Sequence, residues 1–211
     1  MQALQAAVAP WMTVAFHWLG ADFTWLELAA VLLSLWMVAC NMRVHPLAWP
    51  LAMLSSALYA LLFLHYKLYG EASLQLLFIT LAGWGWWQWL RGRGTDGQPL
   101  VVRRLGPRWR LAAAGLTLLA WPALGALLDR ITDSDVPYFD ALPTVASVTG
   151  QVLLGRKLIE NWPVWVMVNL VSVALFVHKG LWLTVLLYAV FTVLAGAGWR
   201  AWRRLEGRAH G

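Results

Sequence analysis

The chain has 211 residues, 61% hydrophobic and 12% charged, with a formal net charge of +6. A soluble domain carries about 25% charged residues, so this chain lacks the polar groups to cover its surface against water, and a lipid bilayer is the expected solvent. Its basic residues lie in loops between apolar runs, which excludes nucleic acid as the partner and reads as a membrane-topology signal.

A spanning helix needs roughly 20 apolar residues. In chain order, Val8–Leu19 is too short and ends at Gly20, so it is expected as a short N-terminal helix, interfacial or packed beside the bundle. No basic residue precedes Arg43, so the start lacks the charged beginning of a signal peptide. Seven spans follow: Trp25–Cys40, Leu47–Tyr66, Gly70–Leu90, Leu111–Leu128, Tyr138–Gly155, Trp162–His178 and Leu181–Trp199. A basic loop covers residues 91–110, an outer loop 129–137 and a cytoplasmic tail 200–211. The single cysteine, Cys40, lies in an apolar run, which leaves no disulfide framework and no cysteine metal site.

The basic residues divide by side. Arg43, the loop arginines 91, 93, 103, 104, 108 and 110, Arg156, Lys157 and the tail arginines 200, 203, 204 and 208 fall on one side; Lys67, Arg130 and Lys179 fall on the other. Thirteen against three places the richer side in the cytoplasm. The segment before Trp25 is then outside and the C-terminus inside.

The sequence also repeats. A shift of 113 positions lays Trp49-Pro50 on Trp162-Pro163, Phe63 on Phe176, His65 on His178, and Leu81-Ala82-Gly83 on Leu194-Ala195-Gly196. Gly85-Trp86 falls on Gly198-Trp199, Trp89 on Trp202, and Arg43 and Arg91 on Arg156 and Arg204. Each copy covers three spans, and the span at Leu111–Leu128 lies between them. Both copies therefore enter the membrane in the same direction. The expected fold is an all-α integral membrane protein with a 3+1+3 parallel repeat. Transporters of that design bind substrate near the midplane, between the two bundles.

The stretches "LQLLFITLAGWGWWQWLR" (Leu74–Arg91), "RKLIENWPVWVMVNLVSV" (Arg156–Val173) and "HKGLWLTVLLY" (His178–Tyr188) resemble the PnuC family of vitamin transporters. The resemblance runs from Trp25 to Trp202. It implies a fold similar to full-length SWEET transporters and uptake of nicotinamide riboside into bacteria across the inner membrane. It also implies facilitated diffusion, with cytoplasmic phosphorylation trapping the product. A related branch carries thiamine, and "VLLYAVF" around Tyr188 looks closer to that branch, so thiamine stays as the alternative substrate. A non-transporting membrane protein or membrane enzyme is the alternative of another class. No His-Glu-x-x-His, paired intramembrane carboxylates or glycine-rich phosphate loop supports an enzyme. No cofactor or metal is implied, and the oligomeric state, monomer or homo-oligomer, is left open.

Candidate substrate residues follow from polarity inside the spans. Trp162, Trp165 and Asn169 stand at i, i+3 and i+7 and share a helix face. Asn169 lies about 10 Å along the axis from Trp162 at ~1.5 Å per residue, where an unpaired amide costs several kcal/mol. It must meet a partner helix or a wet cavity. The first copy carries Trp49, Ala52 and Ser56 at the matching positions, so large hydrogen-bonding groups face small ones, as one asymmetric ligand would require. Gln75 and its repeat partner Tyr188 offer donors to a ribose hydroxyl or an amide, or to another helix. Gln151 is read mainly as solvated at the interface. Asn161 is read as an N-cap or a ligand contact, with Pro163 in the first turn. Trp84, Trp86, Trp87 and Trp89 are expected to form an aromatic belt, with Trp84 kept as a site candidate.

Two tryptophan faces suit a flat cationic ring by stacking and cation–π contact. No Asp, Glu, Lys or Arg falls at midspan, which argues against ion coupling. The turn His178-Lys179-Gly180 should make each copy move as a unit, and Pro143 is a candidate hinge.

Overall fold

A computed structural model describes residues 9–18, 21–65, 69–94, 97–132, 136–178 and 182–209. They form seven long helices: α1 (Trp25–Met42), α2 (Ala48–His65), α3 (Tyr69–Arg91), α4 (Pro107–Ile131), α5 (Pro137–Gly155), α6 (Asn161–His178) and α7 (Trp182–Ala209). Among them α1, α2, α4, α6 and α7 are long and apolar enough to cross a membrane by length and composition. α3 carries Gln75, Gln88 and several glycines and tryptophans, and α5 two prolines and Gln151, which dilutes their hydropathy.

The N-terminal segment corrects the sequence expectation. In place of a short helix it forms a 3₁₀ turn (Ala9–Met12) and an antiparallel hairpin of β1 (Val14–Trp18) and β2 (Ala21–Thr24). Phe16 stacks on Phe23 at 4.8 Å across it. Alternating aromatic and β-branched residues around Gly20 suit a hairpin better than a helix. α1 then starts on a capping box. The Glu27 N–H donates to the Thr24 hydroxyl at 3.2 Å, and the Thr24 N–H donates to the Glu27 carboxylate at 2.9 Å. The other end of the chain departs too. α7 runs past Trp199 to Ala209, so most of the expected tail is helical. Its Arg-, Leu- and Glu-rich sequence favours helix and holds no proline. The turn at residues 179–181 and the acidic stretch at 133–135 lie outside the described residues.

The chain divides into two compact units, Met1–Trp87 and Gln88–Gly211. In the first, α1 packs on α2 through Cys40, Ala48 and Leu51, with Leu33 and Met37 against them. Ser34 and Ser55, both buried, share a 2.7 Å hydrogen bond in which one hydroxyl donates and the other accepts, and the accepting one donates to the Ala30 carbonyl, which lies within 2.8–3.1 Å of both. Such bonds satisfy hydroxyls where no water reaches. The Trp49 ring, buried on α2, fills the place a side chain on Gly85 would occupy.

In the second unit α4 meets α5. Thr117 and Thr149 hydroxyls lie 2.7 Å apart, and the Trp121 indole donates to the Tyr138 carbonyl at 2.6 Å. α5 meets α6 where the Trp165 ring lies over Gly150, and α6 meets α7 where the Trp162 ring fills the space beside Gly198. Trp202, fully buried, closes this contact edge-on to Trp162, with ring centres 5.6 Å apart.

The 113-residue repeat is present in the backbone. α2 and α6 have matching limits at both ends, and α3 and α7 have matching starts. The turns before α2 and α6 coincide as well. Arg43 and Arg156 end the preceding helices at nearly equal angles (φ −91°, ψ 5° and φ −90°, ψ 8°). Val44 and Lys157 then both adopt positive φ, 55° and 54°. That region is strained for a β-branched residue, yet the turn imposes it in both copies. The chain is re-aimed by the same hydrogen bond, from His45 N–H to the Cys40 carbonyl and from Leu158 N–H to the Leu153 carbonyl, each 2.9 Å.

Candidate functional site

The sequence candidates on α6 separate into two groups. Trp162 is 3% exposed and held against Gly198 and Trp202. Trp49 does the same against Gly85 in the first copy. This is the geometry of helix packing. Asn161 is fully buried and does not cap α6. Its amide donates back to the Leu158 carbonyl at 2.6 Å, while its Oδ1 has no partner among the described residues. The backbone N–H groups of Asn161 and Trp162 already bond to the Leu158 and Ile159 carbonyls, so the turn satisfies what a cap would satisfy.

Trp165 and Asn169 make the second group, one turn apart. Trp165 is half-buried. A Cβ added to Gly150 would come within 3.1 Å of its ring, so that glycine makes the seat. The size difference between copies is thus partly a packing exchange: Gly150 and Trp165 stand where the first copy has Met37 and Ala52. Asn169 is 6% exposed and makes no hydrogen bond among the described residues. Its carbonyl and amide can take up to four hydrogen bonds.

Gln151 follows Gly150 on α5. The residue is half-buried, and its Oε1 is buried without a partner among the described residues. Tyr188, half-buried on α7, lies against Phe176 of α6 with ring centres 5.2 Å apart and edge-on to Phe191 at 6.2 Å. Phe176 is two turns beyond Asn169 on the same face. The second unit therefore carries, along α6, an indole, an unsatisfied amide and an aromatic group ending in a phenol. Such a strip can stack a flat ring and exchange hydrogen bonds with an amide or hydroxyl.

In the first unit, Gln75 and Trp84 are half-buried on α3. The expected tryptophan belt is only partly present. Trp86 and Trp87 are exposed, whereas Trp89 is buried, and its indole donates to the Leu154 carbonyl at 3.0 Å. Lys157 sits over the Trp89 ring, 5.3 Å from its centre, and donates to the Leu100 carbonyl at 2.9 Å. Burial holds its ammonium below the usual lysine range. Arg156 donates to Gln88 at 3.1 Å. Sequence reasoning missed this cluster, because its members are paired only when the α5–α6 turn folds. Among the described residues no group of three His, Cys, Asp or Glu could hold a metal.

Comparison with known proteins agrees with this architecture. The nicotinamide mononucleotide transporter family matches residues 24–204. The nicotinamide riboside transporter PnuC of Escherichia coli is 24% identical over 207 residues, 87% of either chain. The riboflavin/roseoflavin transporter RibM of Streptomyces davaonensis is 28% identical over 197 residues, 89% of either chain. The crystal structure of the vitamin B3 transporter PnuC shares the fold, with a TM-score of 0.71 at 23% identity over 87% of this chain and 83% of that one. The chain is a multi-pass membrane protein, and it belongs to the nicotinamide mononucleotide transporter family, the PnuC family of membrane transporters.

Proposed function

We propose that this protein takes up nicotinamide riboside by facilitated diffusion across the bacterial inner membrane, with alternating access of its two repeat copies and no ion coupling. The observation that carries the reading is the buried Asn169 side chain, which makes no hydrogen bond among the described residues, one turn from the half-buried Trp165 ring, with the Oε1 of half-buried Gln151 also buried and unpartnered on α5. An unpaired amide in a spanning helix costs several kcal/mol. A ligand with its own carboxamide and hydroxyls repays that cost when bound. Nicotinamide riboside has both, on a flat cationic ring that an indole face attracts. The name of the Escherichia coli relative supports the same substrate. The spanning helices carry no midspan carboxylate or ammonium, which supports passive movement. The excess of basic residues on one side supports a cytoplasmic C-terminus.

Riboflavin is the second reading, favoured by the 28% identity to RibM. Thiamine is a third, resting on the residues around Tyr188. Titrating the purified protein with each vitamin, read by tryptophan fluorescence, separates them. Saturable quenching by nicotinamide riboside alone is expected, together with saturable counterflow in liposomes that ignores sodium and proton gradients. Quenching by riboflavin or thiamine alone would replace the substrate, and gradient-dependent flux would overturn the passive mechanism.

A further inference from the structure

A cavity of about 260 Å³ opens in the second unit where α4 and α6 begin and α7 ends. Its floor is apolar, made by Ile159, Pro163 and Trp199, and Arg104, Arg110 and Arg203 stand around it with Glu160. A second cleft shares Arg104 and Arg203 and adds Arg200, Arg204 and Glu206. Five arginines thus meet two glutamates. Both glutamates are engaged: Glu160 pairs with Arg110 and accepts from the Leu105 N–H at 3.0 Å, and Glu206 pairs with Arg104, each pair at 2.8 Å. Arg203 makes no hydrogen bond or ion pair among the described residues.

This arrangement is more than a topology signal. A positive-inside bias needs only charge in a loop, whereas here arginines converge on a concave site with an apolar base. Guanidinium forks match phosphate oxygens in pairs. The arginines of the two ion pairs are about half exposed, so Arg104 and Arg110 can turn part of their donor sets to a stronger anion. The start of α6 adds the positive end of a helix. The floor suits the glycerol and upper acyl region of an amphiphile, and basic pockets between spanning helices on the cytoplasmic side take anionic head groups. We propose that this cleft is a binding site for a phosphate-bearing anion, with Arg203 as its uncommitted donor. The chemistry is shared by a phospholipid head group and by free phosphate.

Thermal unfolding in neutral detergent tests it, with added phosphatidylglycerol, phosphatidylcholine or inorganic phosphate at matched ionic strength. Phosphatidylglycerol should raise the Tm by several degrees, phosphatidylcholine should not, and Arg203→Glu should abolish the gain. Arg93→Gln, whose arginine donates to the Gly97 carbonyl outside the cleft, should keep it. A Tm gain from inorganic phosphate alone, lost in Arg203→Glu, supports the site and names a soluble ligand. An equal gain from phosphatidylcholine, a gain that survives Arg203→Glu, or no response in any arm overturns it. Should Arg203→Glu fold poorly, native mass spectrometry of Arg203→Gln reads the same contact. At least a threefold fall in lipid-bound fraction is expected, and unchanged occupancy overturns the site.

Discussion

The two repeat copies share a frame and differ in what they hang on it. Trp49 on Gly85 and Trp162 on Gly198 are the same contact made twice, after the same turn with the same positive-φ residue. Within one turn of that contact the copies part. On α2 the first copy has Ala52 and Ser56, and its buried polar pair, Ser34 and Ser55, satisfies itself. On α5 and α6 the second copy has Gln151, Trp165 and Asn169; the Gln151 Oε1 is buried and unpartnered, and the buried Asn169 makes no hydrogen bond among the described residues. A duplicated frame conserves the contacts that set helix geometry. The proposed site lies where a few positions leave the symmetry.

The largest expected effect breaks the shared half of this comparison. Gly85→Ala and Gly198→Ala each push a Cβ into a tryptophan ring, and overpacking of this kind costs about 1–3 kcal/mol. Both should lower the Tm to a similar degree, read by thermal unfolding in detergent. A large loss in one copy and none in the other would show that the contacts are not equivalent. Asn169→Leu attacks the half that differs. It should weaken vitamin binding about tenfold, the equivalent of ~1.4 kcal/mol, while stability holds or rises because an unsatisfied amide is removed. Gly150→Ala is gentler. The Trp165 ring must give by a few tenths of an ångström, so affinity should fall a few-fold, with an altered fluorescence spectrum as the independent sign that the ring moved. Ser56→Asn, which puts the second copy's amide into the first, is the smallest. It should weaken binding slightly by narrowing the space, and unchanged affinity would count against an asymmetric ligand.

Much of the frame was legible in the residues. Apolar run length placed the helices to within a few residues, except that α7 runs ten residues past its expected end, since lipid admits little else and sets no limit beyond the membrane. The repeat was legible because Trp-Pro, Leu-Ala-Gly and Gly-Trp are rare enough to align on. The N-terminal hairpin was not, although two signals were available: Thr24 and Glu27 in capping-box spacing mark the start of α1, and Gly20 splits two short aromatic runs. At the candidate site, the shared face of Trp162, Trp165 and Asn169 was legible from helical spacing. Which of them is packing was not, because that depends on Gly150 and Gly198 from neighbouring helices. Trp89 was misjudged for the same reason. Its acceptor, Leu154, lies 65 residues away.

The most direct test is calorimetric titration of nicotinamide riboside into wild type, Asn169→Leu and the mirror-position variant Ser56→Ala. Saturable binding is expected in wild type and Ser56→Ala, and a loss of about tenfold in Asn169→Leu. Equal affinity in all three would contradict the assignment of the ligand to the second copy's amide face.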